Sequence, residues 1–282
     1  MIAFFAFEYS PFPKFPTVPP RLFANRTSTI GFFITFIHAL ITLWTLYFLP
    51  VYFQAVQLVT PSRSGVQILP TVFGMLPAAV IASQYLSRTG KYKLLHIVGM
   101  FLMAAGMGSF AAFDTNSSTA IWVCLQLLGS LGNGIVATSI LPGVQAGLTD
   151  KDNAASTATW AFIRSYGAVW GVTIPATVFN NIFDKNSWKI AEPSVRALLA
   201  NGNAYAYAAR EFMLRIPEAT RGQVIEVYTD ALRISWAVAA AIAGFAAFFT
   251  FFEVDIPLRE TLRTEFGIKE TKKSTSPADQ QA

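Results

Sequence analysis

The sequence predicts an all-α membrane protein, a bundle of six transmembrane helices with a long extracytoplasmic loop between helices 5 and 6. Three observations predict this class. The 282 residues are 53% hydrophobic and 13% charged, whereas a soluble domain carries about 25% charged residues. The apolar residues form runs of about 20, the length that crosses a bilayer as a helix. No segment alternates as a strand does, and only a closed barrel could span as strands.

Charged residues interrupt the apolar runs and so mark the ends of the predicted spans. The last span, AVAAAIAGFAAFFTFF, is the clearest, because it is rich in alanine, contains no charge and lies between Arg233 and Glu253. No aspartate or glutamate falls within the six spans. The sequence predicts a transmembrane domain over residues 28–253, with spans at 28–56, 66–86, 94–113, 118–144, 154–183 and 234–252.

Three segments lie outside the predicted spans. A linker is predicted over residues 1–27. Residues 1–7 resemble the end of a helix whose start is missing, and the segment PFPKFPTVPP that follows contains several prolines, which prevent a regular helix. No cleavable signal peptide is evident, because no basic region precedes the first apolar residues. Residues 184–230 contain apolar residues at helical spacing, which predicts either short amphipathic helices at the membrane surface or an ordered excursion into water. Residues 254–282 predict a polar cytoplasmic tail.

Lysine and arginine are unevenly distributed between the two sides of the predicted bundle. Residues 88–93 form a short loop with three basic side chains, whereas the short loops on the opposite side contain only Arg63. Since cytoplasmic loops are enriched in lysine and arginine, we expect both termini in the cytoplasm and residues 184–230 outside. The net charge of +5 then reflects topology in the lipid bilayer, so no nucleic-acid partner is predicted.

The sequence carries no set of residues that indicates catalysis or metal binding. It contains no HExxH, GxSxG or GxxxxGK[ST] motif, and its single cysteine excludes an intrachain disulfide. The two histidines, His38 and His96, lie on different predicted helices. Each is interpreted as a packed histidine, with proton handling as the alternative for His38. We therefore predict no enzyme activity, no cofactor and no metal site.

The segment WAFIRSYGAVWG, residues 160–171, places Arg164 alone within a long apolar stretch. Arg164 follows Asp152 by about twelve residues, roughly 18 Å along a helix, which brings it near the midplane of a core about 30 Å thick. Because a charge there costs at least about 2.5 kcal/mol, we expect Arg164 to face a central cavity, with Trp160 and Gly167 on the same face. The alternative is an arginine whose side chain extends to the cytoplasmic boundary.

Uncharged polar and aromatic residues within the spans suggest a pocket for a large, partly aromatic molecule. An isolated amide in lipid usually forms a hydrogen bond between helices, but several amides together with tryptophans favour a cavity. The candidate cavity residues are Arg164, Trp160, Gln54, Tyr47, Gln126, Asn133 and Trp170. Glycines indicate close helix packing, and the candidate packing positions are Gly167, Gly171, Gly129 and Gly132.

Several short segments of the sequence, taken together, resemble the C-terminal half of a major facilitator superfamily transporter. They are LYFLPVYFQAV (residues 46–56), SGVQILP (64–70), LSRTGKYK (86–93) and ATWAFIRSYGAVWGVTIPATVFNN (158–181). The segment PPRLFANRTS, at 19–28, resembles the lead into that half. The similarity is greatest to the fungal fourteen-helix drug:proton antiporters and covers residues 19–253.

This resemblance implies two six-helix halves around a midplane site that opens alternately to either side of the membrane. It also implies export of small hydrophobic molecules, such as drugs, toxins or secondary metabolites, in exchange for protons. Residues 83–92, SQYLSRTGKY, resemble a weakened copy of the cytoplasmic loop motif G-x-x-x-D-R-x-G-R-R. Arg88 and Gly90 match it and Lys91 keeps the charge, whereas Ser87 replaces the aspartate. The role that we retain for these residues is a basic tight turn between helices 2 and 3.

The N-terminal half of such a transporter is not contained in the sequence. We therefore expect a truncated transporter, or a half that pairs with another chain, either a second half-transporter or a copy of itself in a homodimer. The predicted location is the plasma membrane, with the vacuolar membrane as the alternative. Two other functions remain open: a non-transporting fragment or membrane interaction protein, and a membrane-embedded enzyme, which the absence of a nucleophile–base pair disfavours.

Overall fold

Six long α-helices account for most of residues 18–258, the part of the chain that the computed structural model describes. The predicted linker at residues 1–17 and the predicted tail at residues 259–282 lie outside the described residues. No β-strand occurs between residues 18 and 258. The long helices are α1 (Arg26–Val51), α2 (Pro61–Thr89), α3 (Tyr92–Phe110), α4 (Thr119–Ala146), α5 (Asn153–Asn186) and α6 (Glu218–Thr250).

Within this region, five of the six long helices, all except α5, are long and apolar enough to cross a membrane. The first of these spans includes α1 and the π-helical turn Tyr52–Val56, which follows Pro50. α5 has 34 residues, but Arg164 and several threonines and asparagines lower its hydropathy. The structure is therefore an all-helical bundle with five candidate membrane helices, whereas the sequence predicts six spans.

The starts of the long helices follow local capping rules. Asn25 caps α1, because its side chain accepts a hydrogen bond from the backbone N–H of Thr27 at 2.9 Å. Thr60 caps α2 in the same way, and Pro61 occupies the first helical position, where no backbone donor is needed. Ser118 caps α4. These side chains satisfy amide groups that would otherwise lack partners at the helix ends.

The helices form two layers. α1 and α4 lie side by side at the centre of the first layer, with α5 packed against α1 and α2 packed against α4. α3 and α6 pack against each other in the second layer, where α3 contacts α4 and α6 contacts α1 and α5. Large side chains fill the space between the layers, among them Trp44, Phe48, Met103, Phe110 and Trp236, all of them at most 2% exposed. The first layer therefore has a second face that the described chain leaves uncovered.

Two glycines of α5 allow it to lie directly against α1. A Cβ atom on Gly167 would overlap the carbonyl oxygen of Phe36, and a Cβ on Gly171 would overlap that of Leu40. The four-residue spacing places both glycines on one stripe of the helix, so the two backbones approach along a full turn. The stripe continues through buried residues at the same spacing, Pro175, Phe179 and Phe183.

α4 packs against α3 and against α2 through small residues. Towards α3, Gly129 lies against Gly106, and a Cβ on Gly132 would overlap the carbonyl oxygen of Gly99. Towards α2, a Cβ on Gly134 would overlap the carbonyl oxygen of Met75. Each contact brings backbone close to backbone, which increases van der Waals contact between helices that share no hydrophobic driving force in lipid.

The segment between α5 and α6 differs from the loop that the sequence predicts over residues 184–230. α5 extends to Asn186, and α6 begins at Glu218, 16 residues before the predicted sixth span. Pro217 precedes the first turn of α6, and Glu218 places a negative charge near the positive end of the helix. At 33 residues, α6 is about 50 Å long, so it extends well beyond a hydrocarbon core of about 30 Å.

The residues between α5 and α6 are folded onto the N-terminal part of α6. Lys189 donates hydrogen bonds to Glu226 at 2.7 Å and to Asp230 at 2.8 Å. The buried hydroxyl of Tyr228 donates to the carbonyl oxygen of Ala204 at 2.6 Å. The connection contains two short helices, Pro193–Leu199 and Arg210–Arg215. It is ordered by contacts with the bundle itself.

Candidate functional site

A cavity of about 140 Å³ lies between α1, α2, α3 and α4. It includes two of the predicted cavity residues, Gln126 and Asn133, and no charged residue lines it. Two wall residues, Leu46 on α1 and Val72 on α2, are about half exposed and mark its mouth. Its walls are formed by Ile41, Thr42, Thr45, Leu46, Ile68, Thr71, Val72, Met75, Met103, Met107, Phe110, Gln126, Gly129, Ser130 and Asn133.

Most polar side chains of this wall are hydrogen-bonded to the protein. The hydroxyl of Thr45 donates to the carbonyl oxygen of Ile41 at 2.9 Å. Thr71 donates to Oε1 of Gln126 at 2.9 Å, and Nε2 of Gln126 donates to the carbonyl oxygen of Gln67 at 3.0 Å. Gln126 therefore connects α4 to α2. The amide that the sequence assigns to a substrate pocket is engaged in helix packing.

Asn133 connects α4 to α1. Its Nδ2 donates to the hydroxyl of Thr42 at 2.7 Å, and that hydroxyl donates to the carbonyl oxygen of His38. The buried His38 ring lies 3.2 Å, through Nε2, from the carbonyl oxygen of Asn133. Oδ1 of Asn133 is buried without a hydrogen-bond partner among the described residues. His38 is thus held between α1 and α4 as a packed histidine.

A second, wider cavity of about 430 Å³ contains the predicted residues Tyr47 and Gln54. It lies between the end of α1 and residues 205–209 of the α5–α6 connection. The ring of Phe48 stacks on Tyr205 at 5.0 Å, and the backbone N–H of Tyr205 donates to Oδ1 of Asn180. The folded connection therefore forms one wall of this cavity.

Arg164, Trp160 and Trp170 lie apart from both cavities, on α5. Arg164 is exposed, and its guanidinium carbon is 5.3 Å from the centre of the Trp160 ring, a cation–π distance. Trp170 is 37% exposed. The prediction that Gly167 shares the environment of Arg164 is wrong, because Gly167 is buried against α1. A separation of three residues turns a side chain by about 60° from the first, which is enough here to separate an exposed face from a packed one.

The predicted cavity residues therefore occupy three places. Gln126 and Asn133 line the inner cavity, Tyr47 and Gln54 line the wider one, and Arg164, Trp160 and Trp170 lie on α5. The spacing of these residues in the sequence shows that they lie on helices. It does not show which side of each helix faces a neighbouring helix, and that orientation determines which cavity a residue lines. The inner cavity depends on wall residues that the sequence analysis did not select, the apolar side chains of α2 and the methionines of α3.

The predicted loop motif forms a tight turn between α2 and α3. Gly90 ends α2 with φ of 67°, the left-handed conformation that favours glycine, and its N–H donates to the carbonyl oxygen of Leu86 at 2.8 Å. Lys91 precedes the first residue of α3, and its N–H donates to the hydroxyl of Thr89. Arg88 is exposed in the last turn of α2.

The sequence analysis missed a buried hydrogen-bonded pair between His96 on α3 and Glu253. Nδ1 of His96 lies 2.9 Å and 3.0 Å from the two carboxylate oxygens, and both side chains are fully buried. Glu253 lies directly beyond the predicted sixth span, where an acidic residue marks a helix end. The sequence feature that could have indicated this pair is the acidic residue Glu253 next to a long apolar run. Only the tertiary structure shows that Glu253 lies beside His96.

Residues 251–258, which follow α6, close over this pair. Lys93 donates to the carbonyl oxygens of Phe251 and Glu253 at 3.0 Å and 2.6 Å. The Tyr92 hydroxyl donates to the carbonyl oxygen of Val254 and accepts from the N–H of Ile256. These bonds attach the segment after α6 to the start of α3, at the same end of the bundle as the α2–α3 turn.

An ion pair joins the segment before α1 to the α4–α5 turn. Nε of Arg21 donates to Oδ1 of Asp152 at 2.7 Å, and the Thr149 hydroxyl donates to Oδ2 at 2.8 Å. Burial raises the pKa of the Asp152 carboxyl, but the hydrogen bonds from Arg21 and Thr149 outweigh it and hold the pKa below its ordinary value. Between residues 18 and 258, no group of three or more His, Cys, Asp or Glu residues could hold a metal ion.

The two-layer fold and its apolar helices define a multi-pass membrane protein, and comparison with known proteins gives its relatives. No protein-family model matches the chain. It is 43% identical over 279 residues to the efflux pump FUS6 of Gibberella fujikuroi, covering 98% of this chain and 50% of that protein. It is 44% identical over 272 residues to the MFS-type transporter gkaD of Penicillium citrinum, and the match covers 96% of this chain and 47% of that protein. It is 39% identical over 282 residues to the MFS-type efflux pump LUC4 of a Fusarium species, and the match covers 99% of this chain and 50% of that protein.

In sequence, the chain is therefore similar to one half of each of these fungal proteins, which are named as efflux pumps or MFS-type transporters. The chain spans about half the length of the curated relatives it matches. Those proteins are named as transporters or efflux pumps, not as enzymes. The resemblance found in the residues of α1, α2 and α5 is thus confirmed over nearly the whole chain.

Proposed function

We propose that this chain forms the C-terminal half of an exporter of small hydrophobic molecules that exchanges its substrate for protons. In this proposal all six long helices cross the membrane, the α5–α6 connection lies outside, and the first layer of helices faces the other half of the transporter. The other half is supplied by another polypeptide segment, in the same or a separate chain. The names of the relatives support export, and proton exchange is what the family resemblance implies.

The observation that carries this proposal is the polar exposed face of α5. Arg164, Ser165, Thr173, Thr177 and Asn181 are all exposed on a helix whose opposite stripe is buried against α1. An arginine near the middle of a spanning helix is costly against lipid and is normally found facing protein or water. The polar face therefore fits a water-filled passage between two halves, with Arg164 as a positive group on its wall.

The test measures retention of the lipophilic dye Nile red in yeast cells that lack their own drug exporters. The chain is expressed alone and together with the remaining half of the efflux pump FUS6. We expect cells with both halves to retain several-fold less dye than control cells, and a protonophore to remove the difference. Unchanged retention with both halves present in the membrane would reject export and favour the non-transporting alternative. Fluorescence microscopy of the tagged chain distinguishes the plasma membrane from the vacuolar membrane.

A further inference from the structure

The inner cavity between α1 and α2 exists because the neighbouring helices are held by their smallest residues. Gly74 of α2 lies against Ser130 of α4, and Gly134 of α4 lies against the backbone at Met75. These contacts hold α2 on α4, whereas α2 and α1 touch at few positions. The gap between α1 and α2 is bounded at its mouth by Leu46 and Val72. Leu46 and Val72 are thus the half-exposed wall residues between which a ligand group could enter.

We propose that this cavity is a subsite for one uncharged aromatic ring of the exported molecule. The proposal rests on the proposed function, because it assigns to the substrate of that exporter a ring that enters between Leu46 and Val72. The rest of the molecule remains in the passage between the two halves. The subsite therefore selects substrates by a single flat apolar group and leaves the remainder of the molecule free to vary.

The volume of the cavity limits the size of the substrate ring that it can bind. A closed apolar cavity of about 150 Å³ is known to hold a benzene molecule, and this cavity has a volume of about 140 Å³. A fused three-ring system exceeds that volume, and a methyl group leaves most of it unfilled. A single six-membered ring, with at most a small substituent, fills the space.

The chemistry of the wall sets the polarity of the group. The hydroxyls of Thr42, Thr45, Thr71 and Ser130 all donate to protein acceptors, so none offers a free proton to a ligand. Oδ1 of Asn133 is an acceptor in the wall without a partner among the described residues, so it can accept from one small donor on the ring. No lining residue is charged. A carboxylate or ammonium group would lose its hydration here without a partner, which is strongly unfavourable.

The methionines of the wall favour an aromatic ring over an aliphatic one. Met75, Met103 and Met107 line the cavity together with Phe110. Thioether sulfur makes favourable contacts with ring edges, and the unbranched side chain adapts to different rings. The phenylalanine adds an edge-to-face partner. An aliphatic group of equal volume would fill the cavity without these contacts.

Photolabelling of the purified full-length chain in detergent tests the subsite. The probe is 3-trifluoromethyl-3-phenyldiazirine, a single apolar ring whose carbene inserts into neighbouring side chains on illumination, and labelled peptides are identified by mass spectrometry. We expect label on Met103 and Met107, which are at most 4% exposed, and at least a fivefold reduction by excess toluene. Label on lipid-facing Phe101 and Phe245 should not be reduced by toluene.

Two variants that fill the cavity, Val72→Phe and Ile68→Phe, should each lower the labelling of Met103 at least fivefold. The matched variant Val98→Phe adds the same ring to an exposed position of α3 and should leave the labelling unchanged. Size-exclusion chromatography identifies any variant that fails to fold. If one of the two cavity-filling variants fails to fold, the labelling of the other one tests the subsite. Label confined to lipid-facing residues, or equal labelling of Met103 in folded Val72→Phe and Val98→Phe, would overturn the subsite. Saturable labelling of Met103 in a chain that fails to lower Nile red retention would support the subsite and reject only the exporter.

Discussion

His96 and Glu253 form a hydrogen-bonded pair inside the bundle. Both side chains are fully buried, so loss of either one would leave the other without its partner in the interior. Neither side chain is exposed, and Lys93 covers the carbonyl of Glu253. We interpret the pair as a structural attachment of the segment after α6 to α3.

Removing one partner of this pair should destabilise the protein strongly. Glu253→Met or His96→Leu leaves the other polar side chain buried without its partner, with an expected loss of about 1–3 kcal/mol in the free energy of unfolding. The double variant His96→Leu with Glu253→Met replaces both polar groups by apolar ones and should lose less than the sum of the two single variants. Thermal unfolding in detergent measures the cycle. A double variant as unstable as the sum of the single ones would contradict this role.

Arg164 is the residue on which the proposed passage depends most directly. Arg164→Leu should lower dye export by cells with both halves about tenfold, because it removes the only charge between Asp152 and Asp184, while the amount of protein in the membrane stays normal. Arg164→Lys should retain part of the activity. Arg63→Leu removes an exposed arginine near the start of α2 and serves as the control. Normal export by Arg164→Leu would show that the arginine does not act in the passage.

At the scale of helices, the contact between α1 and α5 is the most sensitive to side-chain size. The glycine stripe of α5 lies on backbone atoms of α1, which cannot move aside as a flexible side chain can. By contrast, a Cβ atom added to Gly244 on α6 would meet no heavy atom within 4 Å. The same residue type therefore has a packing role in one helix and none in the other.

Gly167→Leu and Gly171→Leu should each separate α1 from α5 and cost about 1–3 kcal/mol of stability or more. Gly244→Leu is the matched control and should change stability by less than about 0.5 kcal/mol. Unfolding temperatures of the three purified variants, measured in the same detergent, provide the comparison. Equal shifts in all three would mean that the α1–α5 contact tolerates an added side chain.

At the scale of the whole molecule, the Arg21–Asp152 pair joins parts of the chain that are far apart in sequence. It attaches the segment before α1 to the α4–α5 turn, where the side chain of Asn25 also donates to the carbonyl oxygen of Gly147. The segment after α6 is attached at α3 through Tyr92 and Lys93. One end of the described chain is therefore attached to the α4–α5 turn and the other to the start of α3.

The lowered pKa of Asp152 predicts how stability depends on pH. A carboxyl whose pKa is lower in the folded state contributes stability that is present above its ordinary pKa, near 3.8, and is lost as pH falls through the lowered value. Asp152→Asn should remove this part of the acid sensitivity. Its cost at neutral pH should be about 1 kcal/mol or less, since the Arg21 side chain is 62% exposed. An acid unfolding curve unchanged by the substitution would contradict the assignment.

Six long helices lie near the six segments that the sequence predicts as spans, and five of them are candidate membrane helices, because the information that marks them is local. A run of about 20 apolar residues specifies a membrane helix wherever it occurs, and Pro61, Thr60 and Gly90 mark helix ends through their own backbone preferences. The loop turn at Arg88, Gly90 and Lys91 was predictable for the same reason. The length of α6 was not, because the charged residues of 218–233 interrupt the apolar run that marks a span, whereas the structure continues both parts as one helix.

The sequence by itself indicated a lipid environment, helical structure and a resemblance to a transporter family, since hydrophobicity, capping and recognisable segments are all properties of neighbouring residues. Only the tertiary structure decided which polar groups are free. It paired Gln126 with Thr71, joined His96 to Glu253 and left Arg164 exposed, because partners on different helices depend on how each helix is rotated. The physical reason is that close glycine contacts fix those rotations, and no single helix carries that information.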